Sequence, residues 1–263
     1  MTGIHPTAII SDGAQVAESV VIGPYSYIGS NVKIDEDCVL QNHVVIEGHT
    51  TIGKNNTFYH HATIGGPPQD LSYQGEDTEV IIGNDNLIRE FVTIHRGTTK
   101  GNQKTIMGSN CMLMAFVHLG HDVIMGDYCI IANSTNFAGH VQCADRVIIG
   151  GGSQVSQFCT LGRGAYIGGA TAIDRDIPLF CTAYGNRAKL KGINIIGLRR
   201  QGYSKTEVSE IVDFYRTMEA SAFSPRAFVK HEELMTDFQG NEVIDEMVSA
   251  IIASEIGLAP FVS

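Results

Sequence analysis

The sequence predicts a mainly β fold, a left-handed parallel β-helix of hexapeptide repeats followed by a small C-terminal α-helical domain. Three observations support this prediction. An apolar residue recurs at every sixth position over most of the chain, glycine often follows it, and the pattern stops after Pro178, where helix-start signals appear. Repeats of this length are typical of solenoid folds.

The six-residue period extends over 25 matched positions. Such a period fits neither a helix of 3.6 residues per turn nor a strand with alternating faces, but it fits a short strand and a corner, repeated. Three hexads then form one triangular coil, and residues eighteen apart lie above one another. The inward positions are Ile10, Val16, Ile22, Ile28, Ile34, Leu40, Ile46, Ile52, Phe58, Ile64, Ile82, Ile88, Ile94, Met107, Leu113, Leu119, Met125, Ile131, Phe137, Cys143, Ile149, Val155, Leu161, Ile167 and Ile173.

Glycine at the position after the inward residue, as at Gly23 and Gly120, is expected to provide corner conformations that other residues resist. Two polar stretches, residues 66–79 and 97–104, interrupt the repeat and predict loops extruded from corners. Extruded loops on a rigid scaffold often carry function.

The chain is predicted to divide into a β-helix over residues 1–185 and a helical domain over residues 186–263. A capping box, Ser204-Lys-Thr-Glu207, predicts a helix through about Glu219. Ser224-Pro225 predicts the start of another helix, and a third is expected from Glu242 to about Ile256.

The net charge argues against one class of function. The net charge of −10 makes the chain a poor candidate for general nucleic-acid binding. Residues 177–206 nevertheless contain no acidic side chain and form a local basic segment. Its cations are Arg187, Lys189, Lys191, Arg199, Arg200 and Lys205.

Cysteine usage and the N-terminus indicate a cytoplasmic protein. The six cysteines have no metal-site spacing and are expected to be buried thiols in a reducing compartment. No signal peptide is recognisable, and no apolar run reaches membrane-spanning length, so no stable membrane insertion is expected.

A histidine cluster is the best candidate for chemistry. His121 follows the inward Leu119 by two positions and is expected near a corner, with Asp122 beside it. A carboxylate close to an imidazole orients the ring and stabilises the imidazolium, which suits a general base. Gly139 is one coil above, where its N–H is placed to bind a developing oxyanion.

The sequence resembles the acyl-[acyl-carrier-protein]–UDP-N-acetylglucosamine O-acyltransferases over almost its whole length. Specific motifs carry this resemblance. They are Gly48-His-Thr-Thr-Ile-Gly53, Gln69-Asp-Leu71, Arg89-Glu90, Val92-Thr-Ile-His-Arg-Gly-Thr98, His118-x-x-His-Asp122, Ala138-Gly-His140, Ile149-Gly-Gly151, Gln157-Phe-Cys159 and Gly185-Asn186.

The resemblance implies a homotrimer that transfers an (R)-3-hydroxyacyl group from acyl carrier protein to UDP-N-acetylglucosamine, the first step of lipid A synthesis. It implies no metal and no cofactor, since acyl carrier protein is a co-substrate. By motif, His121 is the general base, Asp122 its partner and Gly139 the oxyanion donor. The implied substrate contacts are Gln69, Asp70, His118, His140, Gln157, Asn194 and Arg200.

The resemblance also implies a ruler for acyl length at Gly169, where a small residue admits a chain of about fourteen carbons or more. Because carrier proteins of this kind are acidic, the basic segment 177–206 is expected to dock the carrier. Ser72, Ser156 and Ile196 depart from the family pattern near the sugar nucleotide. The loss of a lysine at Ser72 is compatible with a 3-amino sugar as acceptor.

Three other functions are compatible with the repeat. A related N-acyltransferase would use the same base on a 3-amino sugar. A metal-dependent hydratase on this fold would bind zinc through histidines from two subunits. A purely structural β-helix would leave the cluster around His121 without a role.

Overall fold

The computed structural model describes residues 3–262 and contains 27 strands and five α-helices. The strands are β1 (Ile9–Ile10), β2 (Gln15–Val16), β3 (Val21–Ile22), β4 (Tyr27–Ile28), β5 (Val32–Ile34), β6 (Val39–Leu40), β7 (Val45–Ile46), β8 (His49–Ile52), β9 (Thr57–Phe58), β10 (Thr63–Gly66), β11 (Glu79–Ile82), β12 (Leu87–Ile88), β13 (Thr93–His95), β14 (Lys104–Met107), β15 (Met112–Leu113), β16 (His118–Leu119), β17 (Ile124–Met125), β18 (Ile130–Ile131), β19 (Asn136–Phe137), β20 (Gln142–Cys143), β21 (Ile148–Ile149), β22 (Gln154–Val155), β23 (Thr160–Leu161), β24 (Tyr166–Ile167), β25 (Ala172–Ile173), β26 (Cys181–Tyr184) and β27 (Lys189–Ile193).

From β1 to β25 every third strand joins the same sheet, so the chain forms triangular coils whose three faces are sheets of parallel strands. Sheet 1 runs from β1 through β4 to β25, sheet 2 from β2 through β5 to β23, and sheet 3 from β3 through β6 to β26 and β27. Pairs such as His118 with Asn136 are eighteen residues apart, as the repeat predicts. The predicted parallel β-helix is therefore confirmed.

The inward positions of the repeat form the core. From Ile22 to Ile173 they are buried, whereas Ile10 and Val16 are only partly covered because the first coil has a neighbour on one side only. Each buried aliphatic side chain contributes roughly 1.5–3 kcal/mol through removal from water. All six cysteines are buried free thiols, as expected.

The role expected for the corner glycines holds at Gly65, which has a φ of +81°, but is wrong at most other corners. Gly23 and Gly120 have no positive φ; the left-handed residue comes two positions later and is Tyr25 in one corner and Asp122 in another. A Cβ at Gly23 would lie 2.7 Å from the carbonyl carbon of Gln41 in the next coil. These glycines are needed because adjacent coils stack too closely for a side chain.

The two predicted loops leave the helix where expected. They connect β10 to β11 and β13 to β14, and Glu79 pairs directly with Lys104 after the two excursions. The predicted boundary at residue 185 falls inside a hairpin, because β27 pairs antiparallel with β26 and extends the β structure to Ile193.

The C-terminal region contains α1 (Ile195–Arg200), α2 (Lys205–Ala220), α3 (Pro225–Phe228), α4 (Glu232–Met235) and α5 (Glu242–Ala253). The capping box of Ser204 and Glu207 is present. The last helix ends three residues before the predicted Ile256, where the Ser254 hydroxyl donates to Asp176 (2.6 Å). In residues 3–262 no helix combines the length and apolarity needed to cross a membrane.

Candidate active site

His121 and Asp122 form a buried pair at the corner after β16. The His121 Nδ1 atom lies 2.9 Å from Oδ2 of Asp122, and the two residues are 8% and 2% exposed. Because a carboxylate oxygen accepts hydrogen bonds, Nδ1 carries the hydrogen in this pair. In a neutral ring this tautomer leaves the lone pair on Nε2, as a general base requires.

Gly139 lies against the His121 ring from the coil above. A Cβ added there would be 2.4 Å from Cε1, 2.6 Å from Nε2 and 2.9 Å from Nδ1 of the imidazole. Only glycine therefore allows the ring to occupy its position. The same closeness puts the Gly139 backbone beside the base, where an oxyanion donor has to be.

Two more imidazoles, those of His118 and His140, lie close to the His121–Asp122 pair. His118 Nδ1 is 2.8 Å from the Thr93 hydroxyl, and burial lowers the pKa of His118 to about 4, so this ring is neutral at physiological pH. His140 stacks on Phe158 at 4.7 Å and meets His121 edge-on at 4.9 Å. Burial also lowers the pKa of His140.

His118, His121 and Gly139 line a cleft of about 270 Å³ on the outer face of sheet 1, whereas His140 borders a different pocket, beside α5. Of the predicted site residues the cleft contains Gln69, His118, His121, Gly139 and Gln157. Among the other lining residues, sequence reasoning missed three that have polar side chains. They are His95, Asn136 and Gln154. The last two follow His118 at intervals of eighteen along one face, a signal that the repeat alone contains.

The first extruded loop carries two predicted substrate contacts, Gln69, which lines this cleft, and its neighbour Asp70. Asp70 accepts hydrogen bonds from the backbone N–H and the hydroxyl of Ser72, both at 2.8 Å, and these bonds lower the pKa of Asp70. Arg96 Nη2 donates to the Tyr73 hydroxyl at 2.8 Å and anchors the loop. Ser72 therefore restrains Asp70 directly.

A larger pocket of about 840 Å³ lies on sheet 3 and contains the remaining two predicted contacts, Asn194 and Arg200. Asn194 also has a structural role, because it is the N-cap of α1: Oδ1 accepts from the Gly197 N–H (2.9 Å) and Nδ2 donates to the Gly164 carbonyl (3.0 Å). The exposed Ile196, one of the departures from the family pattern, lines the same pocket.

The predicted ruler position lies on neither pocket. Gly169 is exposed, and a Cβ there would contact the Gly151 carbonyl oxygen at 3.2 Å and no other atom within 3.5 Å. It precedes β25, which is three strands away from β16 in sheet 1. At the usual strand spacing this is about 14 Å from the level of His121.

One group of side chains in residues 3–262 has a spacing that suits a metal ion. His121, Asp122 and His140 each offer a ligand atom, and these atoms lie within 4.8 Å of one another. The Nδ1 atom of His121 is already committed to Asp122. The prediction that no metal takes part remains a prediction.

Comparison with known proteins identifies the class. Residues 104–139 match the family model described as bacterial transferase hexapeptide (six repeats), and residues 176–259 match the one described as UDP N-acetylglucosamine O-acyltransferase, domain 2. The fold is that of a hexapeptide-repeat acyltransferase with a left-handed β-helix.

Relatives cover the whole chain. The acyl-[acyl-carrier-protein]–UDP-N-acetylglucosamine O-acyltransferases of Aliarcobacter butzleri and Burkholderia lata are 43% and 44% identical, over 99% and 98% of this chain and 99% of theirs. The UDP-N-acetylglucosamine acyltransferase structure from Campylobacter jejuni is 35% identical, covers 98% of this chain and 100% of its own, and superimposes with a TM-score of 0.92. The chain belongs to the acyl-[acyl-carrier-protein]–UDP-N-acetylglucosamine O-acyltransferase family.

Proposed function

We propose that this protein transfers an (R)-3-hydroxyacyl group from acyl carrier protein to the 3-position of UDP-N-acetylglucosamine, the first step of lipid A synthesis, in the cytoplasm. Membership of the family supports the reaction. The observation that carries it is the His121–Asp122 pair with the Gly139 backbone against the imidazole.

The His121–Asp122 pair accounts for acyl transfer in two steps, addition of the sugar hydroxyl to the thioester carbonyl and elimination of the carrier thiolate. His121 Nε2 takes the proton of the sugar 3-hydroxyl as its oxygen attacks the thioester carbonyl carbon. The Gly139 N–H binds the oxyanion, and Asp122 stabilises the imidazolium. When the C–S bond breaks, the imidazolium returns the proton to the carrier thiolate. No metal or cofactor enters either step.

A homotrimer completes the site. The cleft of His121 and the pocket of Arg200 lie on sheets 1 and 3, two different faces of one triangular prism, so one chain does not bring them together. A cyclic trimer places sheet 1 of one subunit against sheet 3 of the next. Both pockets then face the same groove between subunits.

The corner shared by sheets 1 and 3 supports this arrangement, because it would face the three-fold axis. In its first coils this corner presents five stacked rings, which we call the aromatic edge. They are Tyr25, His43, His61, Phe91 and Phe116, with ring centroids 4.8–5.2 Å apart. Tyr25 is 62% exposed and Phe116 57% exposed in the single chain. Exposed aromatic rings in a continuous row are typical of buried subunit contacts.

The basic segment 177–206 is the proposed docking surface for acyl carrier protein. Its side chains at Lys189, Lys191 and Arg199 are exposed, and Arg200 lines the sheet 3 pocket. An acidic carrier would be steered to this segment and away from the rest of an acidic subunit. The thioester would then arrive beside the groove between subunits.

The test is acyl transfer by the purified protein with its product identified by mass spectrometry. Donors of several lengths and both the 3-hydroxyl and the 3-amino sugar nucleotide are supplied together, so that the product defines donor and acceptor. His121→Ala should lower kcat about 100-fold or more, the usual loss for a general base. His5→Ala, an exposed histidine in the first coil, is the control. Turnover near wild type in folded His121→Ala would contradict the assignment.

A further inference from the structure

The second extruded loop, between β13 and β14, packs onto the catalytic carboxylate. Thr98 is 3% exposed and Asp122 is 2% exposed, although the next two loop residues, Thr99 and Lys100, are exposed. Gly101 closes over the same group: a Cβ added there would be 2.4 Å from Cγ of Asp122. A loop that looks like a polar surface excursion in the sequence therefore covers Asp122 from solvent.

Thr98 provides most of the hydrogen bonds that Asp122 accepts. Its hydroxyl donates to Oδ2 at 2.7 Å, and its backbone N–H lies 2.9 Å from Oδ2 and 3.1 Å from Oδ1. His121 Nδ1 approaches the same Oδ2 atom at 2.9 Å. One oxygen therefore meets the Thr98 hydroxyl and the catalytic imidazole at the same time.

The position of that oxygen decides the position of the base. The Asp122 backbone is already held, because its N–H donates to the Thr105 hydroxyl at 2.9 Å. Rotation of the carboxylate is opposed by the Thr98 backbone N–H, which reaches both oxygens, and by the Thr98 hydroxyl, whose hydrogen bond to Oδ2 is charge-assisted and lies in a buried site. If the carboxylate rotates, Nδ1 of His121 loses its acceptor, and the ring loses the restraint that keeps Nε2 facing the cleft.

We propose that Thr98 is a positioning residue for acyl transfer, acting through Asp122 on His121 and completing a Thr–Asp–His relay of hydrogen bonds. This inference rests on the proposed function. It predicts that Thr98 affects the chemical step and not the binding of either substrate, since its side chain faces Asp122 and does not line the cleft.

The first experiment compares Thr98→Val, which replaces the hydroxyl with a methyl group of similar size, with Thr98→Ser, which keeps the hydroxyl. Thr98→Val should lower kcat about tenfold or more and leave both KM values within about twofold, because a charge-assisted hydrogen bond is lost. Thr98→Ser should restore kcat to within about threefold of wild type. Thr99→Val, the exposed neighbour, is the matched control and should behave as wild type.

A double-mutant cycle tests whether Thr98 acts through Asp122. In an Asp122→Asn background, Thr98→Val should change kcat less than about twofold further, because the acceptor that it orients is already altered. Equal losses of kcat in Thr98→Val and Thr98→Ser would show that Thr98 acts by packing and would overturn the proposal. The same would follow if the double variant lost kcat by the product of the factors lost in Thr98→Val and in Asp122→Asn.

A spectroscopic readout separates this inference from the proposed reaction. The hydrogen-bonded Nδ1 proton of His121 should give a downfield proton resonance in wild type that broadens in Thr98→Val and returns in Thr98→Ser. If wild type transfers no acyl group but this pattern holds, the proposed function fails and the relay stands. If the resonance is unchanged in Thr98→Val, the relay fails.

Gly101→Ala tests the same contact if Thr98→Val does not fold. Its Cβ would push on the Asp122 carboxylate from the opposite residue of the loop, so kcat should fall about tenfold with KM values unchanged. Asn102→Ala, on an exposed residue of the same loop, is its control. A Gly101→Ala protein with wild-type kcat would contradict the idea that this loop positions Asp122.

Discussion

Replacing Gly139 with alanine tests how closely the backbone and the base are matched. The added Cβ would lie 2.4–2.9 Å from three atoms of the His121 ring, whereas ordinary van der Waals contact begins at 3.4 Å. The ring must therefore move by about 0.5 to 1 Å, the difference between these distances. It is the ring that moves, since the Gly139 backbone belongs to a stacked coil.

A displacement of this size is large for proton transfer. Misplacing a catalytic group by about 1 Å can cost about 100-fold in rate. Since 1.36 kcal/mol corresponds to tenfold, Gly139→Ala should raise the activation free energy by about 3 kcal/mol. Binding of the sugar nucleotide should change much less, because the cleft keeps its other lining residues.

The assay is steady-state transfer from a 3-hydroxyacyl carrier protein to UDP-N-acetylglucosamine, with kcat and both KM values measured. Gly66→Ala is the control, since it lies near His95 at the same cleft but its added Cβ would meet nothing closer than 3.6 Å. A folded Gly139→Ala protein with kcat within about threefold of wild type would show that the contact with His121 is not required.

Two further predictions concern the donor. Replacing Gly169 with methionine should shift preference to shorter 3-hydroxyacyl donors, because an exposed side chain about 14 Å along sheet 1 from the level of His121 would block the groove between subunits. Each methylene of the acyl chain left unburied costs roughly 0.8 kcal/mol. An unchanged chain-length profile would assign the ruler to another residue. Lys189→Glu with Lys191→Glu should raise the KM for acyl carrier protein several-fold at low salt and less at high salt, whereas a KM that is unchanged at low salt would exclude docking at this segment.

The sequence alone determines the coil and the proximity of His121, Asp122 and Gly139. A period of six leaves one inward residue per strand, and burial of that residue fixes register, so the stacking of residues eighteen apart follows directly. The same arithmetic places Gly139 above His121. The stacking of residues eighteen apart and the position of Gly139 both follow from covalent spacing along a regular solenoid, so no long-range folding information is needed to predict them.

Only the tertiary structure determined the roles of residues on the extruded loops and at the contacts between coils. Thr98 reaches Asp122 because the second loop folds back over a corner, and polar loop sequence does not encode that direction. Gly23 is required by the distance between coils and not by its own φ, which no single-coil argument reveals. Asn194 caps α1 because β27 continues the β structure past residue 185 to Ile193, so that Asn194 lies at the start of the helix.

The placement of the predicted substrate contacts in two separate pockets, on sheets 1 and 3, is the largest feature of this kind. The family resemblance predicts that His121 and Arg200 serve one site, but His121 lines a cleft on sheet 1 and Arg200, at the end of α1, lines a pocket on sheet 3. Periodicity specifies which face a residue occupies along its own chain. It contains no information on which face of another subunit it meets, since that depends on surface shape and charge summed over many coils.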